Sequence, residues 1–407
     1  MDNFAIIGAG FGGLCTAIYF KLHNIHFNIY ESKEHQLNFG GSVTIFPNGM
    51  KILRELGVAD EVIAKGACMH RARFSNQKGN LIGYYSMGDE RIYGSPTITI
   101  QRSVLQNILL KKSRSMGISV KFGKKLTSLK QEKKYISLKF HNNFYVNAKY
   151  VIGADGIHST VRKYICPKNT SPCNSNQVYI GGFISEKKVI DSFKLDRNIQ
   201  YITVGGQSFF AYSIVDNVKQ NNYNLLWYCY LNKKDYLTQK DLRSYSDNEI
   251  LSEIAQIHDN WHSPISKLIT NTQKIVKTNI YDTIGVGKWS NERMLIIGDS
   301  CHAIHPISGQ GASFAMEDAQ LLTFLLKKKY QPISDIFKIF AKIRSKRITP
   351  VAKKARRSTK FSSIKTTPLT QYIRDKLFCY KLKFIPERFY NRTLRYDLLK
   401  QNISENF

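Results

Sequence analysis

Hydrophobic residues near the N-terminus follow the pattern of a strand, a glycine-rich turn, a helix and a second strand. Residues 4–7 form a short apolar run, and residues 8–13 contain four glycines. Hydrophobic residues then recur at helical spacing as far as Leu22, and residues 26–30 alternate as a strand does. The pattern predicts a complete βαβ unit in which the first strand runs directly into the glycine turn.

The glycine turn has the spacing of a dinucleotide site. Gly8 permits a tight turn, Gly10 lets the backbone approach a pyrophosphate, and Gly13 lets the helix pack on the strand. Glu31 ends the second strand about twenty residues later, where a carboxylate can accept hydrogen bonds from ribose hydroxyls. The motif predicts a bound dinucleotide, but by itself it does not distinguish NAD from FAD.

Two later segments repeat the design of an apolar strand followed by an acid. In residues 150–162 the strand leads to Asp155 and a polar, basic turn, and in residues 293–300 it leads to Asp299. A glycine-rich loop follows at residues 305–313, before the next predicted helix. Glycines beside these acids indicate that the chain is again brought close to a ligand.

These segments match the motifs of a known enzyme family. Residues 155–162 fit the pattern D-G-x-x-S-x-V-R, and residues 298–311 fit G-D-x-x-H-x-x-x-P-x-x-G-Q-G. With the first glycine motif, they make the chain resemble the group A FAD-dependent monooxygenases related to p-hydroxybenzoate and salicylate hydroxylases. The resemblance implies an α/β fold with a Rossmann-like FAD-binding domain of the glutathione-reductase and p-hydroxybenzoate hydroxylase type. An antiparallel β-sheet substrate domain and a C-terminal helical segment are expected beside it.

The resemblance also divides the chain into domains. A discontinuous FAD-binding domain is expected from residues 1–75, 98–170 and 280–330, a substrate-binding sheet from 76–97 and 171–279, and the C-terminal helical segment from 331–407.

The cofactor contacts that the resemblance implies are spread along the chain. Asp299 is expected to hydrogen-bond the ribityl chain, and the backbone of residues 309–312 to lie along the isoalloxazine ring. Asp155 is expected to support the pyrophosphate region and nicotinamide access. The full set is Gly8, Gly10, Gly13, Glu31, Ser42, Val43, Arg102, Asp155, Gly156, Asp299, Pro306, Gly309, Gly311 and Ala312. One departure is Ser313, where the family usually has asparagine, so an amide donor near the pyrimidine end of the flavin is lost.

Aromatic residues alternate in strand fashion between the second and third motifs. Residues 207–214 and 224–230 are predicted to be antiparallel strands, and only alternate side chains of such strands can line one pocket. The candidate pocket residues are Phe210, Tyr212, Trp227 and Tyr228. Alternatively, these side chains fill a β-sheet core. No Ser-His-Asp set, carboxylate pair or zinc motif is recognised, so the catalytic side chain is unassigned and no metal is predicted.

The resemblance implies an NAD(P)H-dependent reaction on bound FAD. NADPH or NADH would act as a transient electron donor, and O₂ would form a flavin C4a-hydroperoxide that hydroxylates a small aromatic substrate. An alternative within the same chemistry is the oxidation or epoxidation of a polyene, a polyketide or a tetracycline-like antibiotic. A third interpretation is a flavin-free protein of the same fold that binds a lipid or a partner protein.

Composition changes the picture mainly through charge. The 407 residues include 60 Lys and Arg against 30 Asp and Glu, for a formal net charge of +30. No recognisable nucleic-acid-binding motif is present, so no nucleic acid partner is expected. The basic stretch 338–365 fits either a weak peripheral contact with an anionic membrane or an ordinary part of the C-terminal helical segment.

Cysteines and hydropathy point to the cellular setting. The seven cysteines are scattered without a C-x-x-C pair, and no uninterrupted apolar run reaches membrane-spanning length. We therefore expect a cytoplasmic protein with reduced thiols, present as a monomer or a homodimer.

Overall fold

Two large β-sheets and the helices that cover them make up the structure. It is a computed structural model that describes residues 3–35, 40–168, 171–206, 208–215, 224–232, 239–328, 331–362, 367–384 and 393–398. Among these residues, no helix is both long enough and apolar enough to cross a membrane.

A five-stranded parallel sheet forms the centre of the first part. Its strands, in spatial order, are β18 (Met294–Ile296), β12 (Tyr150–Gly153), β1 (Phe4–Ile7), β2 (Phe27–Tyr30) and β8 (Val120–Lys121). Helices α1 (Phe11–Leu22), α5 (Arg102–Ser115) and α12 (Gly311–Lys327) contribute to the apolar core on one face. The other face is covered by an antiparallel sheet of β9 (Leu126–Gln131), β10 (Ile136–Phe140) and β11 (Tyr145–Ala148). This confirms the predicted Rossmann-like domain, because a parallel sheet needs cover on both faces.

A seven-stranded sheet forms the second part. Its strands, in spatial order, are β17 (Lys274–Asp282), β13 (Cys173–Ile184), β16 (Leu225–Asn232), β15 (Phe209–Ile214), β14 (Ile199–Val204), β5 (Arg71–Asn76) and β6 (Leu81–Ser86). All neighbours are antiparallel except β14 and β5. Helices α7 (Lys187–Ser192), α9 (Asp247–Ile257) and α10 (Ile265–Thr270) pack on one face of this sheet. We call this the helix-covered face.

The remaining elements include one small sheet and eight further helices. They are the sheet of β3 (Ser42–Ile45), β7 (Ile98–Gln101) and β4 (Ala67–Cys68), and the helices α2 (Pro47–Glu55), α3 (Ala59–Lys65), α4 (Glu90–Tyr93), α6 (Thr160–Ile165), α8 (Gln239–Ser244), α11 (Asp299–His302), α13 (Ile333–Ser362) and α14 (Pro368–Phe384).

The seven-stranded sheet begins earlier in the chain than the sequence suggested. Strand β5 starts at Arg71 and pairs with both β14 and β6, so the predicted boundary at residue 75 falls inside this strand. The remaining boundaries stay predictions. Parts of the expected C-terminal segment, at 363–366, 385–392 and 399–407, lie outside the described residues.

A buried ionic cluster fixes α13 against α12. Arg344 is fully buried, and it donates through Nε to Asp318 at 2.6 Å and through Nη1 to Glu317 at 2.7 Å. Arg347 also binds Glu317, at 2.6 and 2.7 Å. Burial alone would lower the pKa of Arg344, but the charges of Asp318 and Glu317 outweigh it and raise that pKa. The two carboxylates thus remain ionised inside the protein because α13 supplies their cations.

The cluster also reaches the third sequence motif and α2. Asp318 accepts a hydrogen bond from the backbone N–H of Gly298 at 2.8 Å and contacts His302 Nε2 at 2.5 Å. Glu317 accepts one from Asn48 Nδ2 at 2.7 Å. Helix α13 is therefore coupled, through Glu317 and Asp318, to the loops that carry the predicted cofactor contacts.

Replacing Arg344 by methionine should destabilise the fold strongly. The change keeps much of the side-chain volume but leaves two buried carboxylates short of a cation, which costs about 3–5 kcal/mol. Urea unfolding of the FAD-saturated protein measures this free energy. Arg357→Met is the matched control, since Arg357 is an exposed arginine of the same helix. Equal losses in the two variants would show that the cluster does not hold α13 in place.

Candidate active site

The first glycine turn is shaped by close backbone contacts. Gly8 has a φ of +103°, and a Cβ there would lie 2.3 Å from the carbonyl oxygen of Ala154. A Cβ on Gly13 would lie 1.9 Å from the carbonyl oxygen of Gly8. At Gly10, which precedes α1, a Cβ would meet no described protein atom within 4 Å. Gly8 and Gly13 are thus required by the packing of the fold, whereas Gly10 leaves the turn open at the start of the helix.

Glu31 stabilises this turn by accepting hydrogen bonds. One carboxylate oxygen accepts from the backbone N–H of Ala9 at 2.7 Å, and the other accepts from Lys33 N at 3.0 Å and Ser32 Oγ at 3.1 Å. Its position at the end of β2 is therefore as predicted, beside the glycine turn. The ribose contact stays a prediction, and the sequence did not reveal this additional contact with the turn.

The second and third motifs meet through Asp155 and Ser300. Ser300 Oγ donates to Asp155 at 3.1 Å and accepts from the backbone N–H of Gly156 at 2.8 Å. Asp155 also accepts from Ser159 Oγ at 2.5 Å and from the backbone N–H of Thr160 at 2.7 Å. Asp155 thus caps the start of α6 and joins two loops. A Cβ on Gly156 would meet no described protein atom within 4 Å.

Asp299 differs from its neighbours in being exposed. The residues on either side, Gly298 and Ser300, are buried, and Asp299 begins the short helix α11. Within the described part of the chain, its carboxylate accepts no hydrogen bond. This free acceptor lies in the third motif, where the family resemblance expects a ribityl contact.

The start of α12 combines an open backbone with buried polar groups. A Cβ on Gly311, the first residue of the helix, would meet no described atom within 4 Å, whereas one on Gly309 would lie 2.7 Å from Phe46. Pro306 opens the turn before it, and Ala312 lies partly buried in the core. Helix N-terminal amides such as these can stabilise negative charge on a bound group.

Ser313 is fully buried beside the start of α2. A Cβ on Gly49 would lie 2.6 Å from Ser313 Oγ, so this short side chain fits where two backbones approach closely. Ser313 Oγ, Gln310 Nε2 and Asn48 Oδ1 are buried without a partner among the described residues. Gln310 Oε1 itself accepts from Asn48 Nδ2 at 3.0 Å. These groups were not predicted as a set, because their proximity depends on the packing of α2 against α12.

The expected flavin-edge residues lie on one small sheet. Ser42 and Val43 pair with Gln101 and Ile100 across β3 and β7. Arg102 follows directly, with its guanidinium 5.2 Å from the centre of the Phe11 ring at the start of α1. The structure thus brings together four parts of the predicted cofactor site. They are the first glycine turn, the loop of Asp155, the third motif with the start of α12, and the small sheet that carries Ser42 and Val43.

These features fit FAD. Openings at Gly10, Gly156 and Gly311 let backbone approach a ligand, the N-termini of α1 and α12 suit its phosphates and ring, and Asp299 offers a free acceptor for hydroxyls. The contact of each side chain with the cofactor remains a prediction.

Three of the four predicted pocket residues face away from this site. Phe210, Tyr212 and Trp227 lie on the helix-covered face of the seven-stranded sheet, where they pack with α9 and α10. Trp227 Nε1 also donates to Thr272 at 2.8 Å. Their assignment to the pocket is therefore wrong, and the alternative reading of a β-sheet core is correct for them. Strand alternation places their neighbours on the opposite face.

Tyr228 lies on that opposite face, which we call the loop-facing face. There it packs with Phe209, Tyr230 and Tyr179. The ring centres of contacting pairs among these four residues lie 5.4–6.2 Å apart. Tyr230 contacts His305 of the third motif at 5.1 Å between ring centres. Tyr179 Oη would be 3.4 Å from a Cβ on Gly41, and Phe209 and Tyr228 belong to the same apolar cluster as Phe46.

The tyrosine hydroxyls on this face stay protonated. Burial raises the pKa values of Tyr179 and Tyr230, and raises that of Tyr228 to about 12. Tyr228 Oη accepts from Gln200 Nε2 at 3.1 Å. The hydroxyls of Tyr179 and Tyr230 have no hydrogen-bond partner within the described ranges. Of these four aromatic residues, only Tyr228 was predicted from the sequence, because the face on which each side chain lies depends on sheet register.

His305 is held neutral at the edge of this site. Its Nδ1 accepts from the backbone N–H of Ile307 at 3.2 Å, so Nε2 carries the proton and donates to Gln177 Oε1 at 2.9 Å. Burial lowers the pKa of His305 to about 4. The imidazole therefore acts as a fixed uncharged contact between the third motif and the seven-stranded sheet.

Cys301, His302 and Asp318 approach one another in the manner of a metal site, with ligand atoms within 4.8 Å. The carboxylate of Asp318 is engaged by Gly298, His302 and Arg344, and burial raises the pKa of the Cys301 thiol. These contacts make the trio part of the buried ionic cluster, and they offer no observation in favour of a metal.

Replacing Asp299 by alanine should weaken FAD binding more than it weakens the fold. Its carboxylate has no protein partner among the described residues, so the loss falls on the ligand, at about 10- to 100-fold in affinity. Fluorescence titration with FAD and thermal melting of the apoprotein separate the two effects. Glu292→Ala, at an exposed acid just before β18, is the control. A lower melting temperature with unchanged FAD affinity would contradict this role.

Protonation of His305 should destabilise the protein in mild acid. Because its pKa falls from 6.5 in a free side chain to about 4 in the fold, the unfolded chain binds the proton first. The contribution of neutral His305 to the free energy of unfolding is fully present above pH 6.5. It is lost as the pH falls toward 4, and it amounts to a loss on the order of 1–3 kcal/mol. Unfolding free energies across this window should fall less steeply for His305→Gln. Identical slopes of unfolding free energy against pH in the two proteins would show that His305 does not cause the loss of stability.

Comparison with known proteins agrees with this geometry. A family model described as FAD binding domain matches residues 3–352. A 6-hydroxynicotinate 3-monooxygenase of Bordetella bronchiseptica is 25% identical over 361 residues, covering 85% of this chain and 88% of that protein. The structure of Klebsiella pneumoniae HpxO with FAD and uric acid has a TM-score of 0.81 at 20% identity, with 97% and 95% of the two chains covered. That of tetracycline destructase Tet(51) has a TM-score of 0.68 at 16% identity, with 95% and 98% covered. The chain belongs to the FAD-binding family of group A flavoprotein monooxygenases.

Proposed function

We propose that this protein is an NAD(P)H-dependent monooxygenase that hydroxylates a small aromatic or heteroaromatic compound. In the balanced reaction, a ring C–H, O₂, NAD(P)H and a proton give a ring C–OH, water and NAD(P)⁺. FAD, when bound, supplies the electron-transfer and oxygen chemistry. The observation that carries the proposal is the loop-facing aromatic surface, which lies against the loops of the flavin motifs.

The loop-facing face offers stacking surfaces together with neutral polar groups. Phe209, Tyr228 and Tyr230 provide aromatic rings, and the hydroxyls of Tyr179 and Tyr230 are available to donate to or accept from a ring substituent. A wall of this kind orients a planar substrate by stacking and limits the approach of water. Relatives that act on 6-hydroxynicotinate and urate support a heteroaromatic substrate.

A larger polycyclic substrate is the second candidate. The structural similarity to tetracycline destructase Tet(51) concerns the fold, and the same loop-facing face would then contact one ring of such a molecule. The two candidates are distinguished by the compounds that become oxygenated.

A substrate screen tests the proposal directly. The FAD-loaded protein is assayed for NADH and NADPH consumption with phenols, salicylates, 6-hydroxynicotinate, urate, kynurenine-like compounds and tetracycline, and products are weighed by mass spectrometry. We expect one aromatic class to stimulate consumption and to gain one oxygen atom. Oxygenation of tetracycline alone would favour the second candidate. Stimulation without an oxygenated product from any compound would count against both.

Variants on the two faces of the sheet sharpen this test. Tyr230→Phe removes a hydroxyl from the loop-facing face and should raise KM for the active compound about 2- to 10-fold. Tyr212→Phe removes one from the helix-covered face and should leave KM unchanged. Equal effects of the two substitutions would show that the loop-facing face does not bind substrate.

A further inference from the structure

Helix α14 carries a continuous apolar stripe that faces away from the protein. Hydrophobic side chains recur at intervals of three and four residues, which places them on one side of a helix. Six of them are between 48% and 68% exposed: Leu369, Tyr372, Ile373, Leu377, Tyr380 and Phe384. Scattered exposed hydrophobics are normal, but a stripe along a whole helix marks a contact surface.

The opposite side of α14 is anchored to the seven-stranded sheet. Phe378 contacts Phe74 of β5 at 5.0 Å between ring centres, and Leu382 packs over Gly83 of β6. Arg374 donates to the carbonyl oxygen of Gly205 at 2.7 Å and pairs with Asp375 at 2.7 Å. The helix is thus fixed with its polar and apolar anchors inward, and the exposed stripe outward.

Lysines border the exposed stripe. Lys376, Lys381 and Lys383 are all exposed, and Asp375, the one acid of α14, is engaged by Arg374. Lys376 and Lys383 lie 5.4 and 5.8 Å from the rings of Tyr372 and Phe384, so the cations flank the stripe itself.

Three arginines of the basic stretch 338–365, for which a membrane contact was one of two interpretations, are paired with acids of the protein. Arg344 and Arg347 belong to the buried ionic cluster, and Arg356 binds Asp282 of β17 at 2.9 Å. Lys354 of α13 is half-buried, and its pKa is lowered by this burial and by the nearby charge of Lys381. This extends the basic border of α14 to one residue of α13.

We propose that α14 is an interfacial helix that binds the surface of an anionic phospholipid membrane through its exposed stripe. Apolar residues along one side with lysines at the border match the acyl and headgroup layers of such a surface. A second copy of the chain is a poorer occupant, because each copy has a formal charge of +30 and would bring the same lysines to the contact.

Vesicle sedimentation of the FAD-loaded full chain tests the proposal. The vesicles are phosphatidylcholine alone or with about a third phosphatidylglycerol, at low salt and at ~0.15 M salt. We expect binding to the anionic vesicles, weaker binding at higher salt, and little binding to phosphatidylcholine alone. Absence of binding to anionic vesicles at low salt would overturn the proposal.

Paired variants separate the helix from general charge attraction. Leu377→Ser with Tyr380→Ser should lower the partition coefficient at least about tenfold, whereas Tyr145→Ser, at a similarly exposed ring on β11, should not. Lys381→Gln with Lys383→Gln should lower it about fivefold per lysine, and Lys133→Gln with Lys134→Gln, which removes the same charge elsewhere, should have little effect.

Two outcomes of these comparisons would overturn the proposal. Equal losses in the helix and control variants would indicate attraction by net charge alone. Self-association in analytical ultracentrifugation that Leu377→Ser abolishes would make the stripe an interface between copies. Melting temperatures with bound FAD show that each variant is folded, and unchanged NAD(P)H oxidation separates this surface from the reaction.

Discussion

The ion pairs between α12 and α13 are the constraint on which the rest of the site depends. Helix α12 presents its first turn to the predicted flavin position and carries two buried acids, Glu317 and Asp318, two turns later. A buried carboxylate is costly unless cations and hydrogen-bond donors surround it. Arg344 and Arg347 provide these cations, and Gly298 and Asn48 provide donors. The same contacts that neutralise the acids thus fix the position of the loop that carries Asp299.

This arrangement gives the C-terminal segment a structural role, the pairing of buried acids, that its composition alone does not indicate. Counted along the sequence, its arginines resemble a solvated basic run. In the fold, three of them bind acids from other parts of the chain, whereas Lys353 of α13 and the lysines of α14 are exposed. The internal pairs of this segment are thus formed by arginines, as expected from the bidentate geometry of guanidinium groups.

The sequence predicted the parts of the site that depend on local backbone geometry. Gly8 is required by its positive φ and Gly13 by a contact within the same turn, so the spacing of the motif identifies both. The pocket residues were predicted less well, because they depend on strand register, which distant pairings and a register shift in β13 determine. A slip of one residue exchanges the faces, so Phe210 and Phe209 could not be distinguished by pattern. Glu317 and Asp318 were missed for a related reason, since their partners come from a helix 26 to 30 residues later.

The chain enters or leaves the seven-stranded sheet four times, from β4 to β5, β6 to β7, α6 to β13 and β17 to β18. A pair of modules joined by one linker can rotate as rigid bodies about that linker, but four connections remove most of this freedom. A substrate bound on the loop-facing face, as in the proposed function, would then enter through local movement of side chains and not through rotation of one sheet away from the other. Selectivity at the proposed substrate site would then depend mainly on the shape of its aromatic wall, and little on closure of one part over the other.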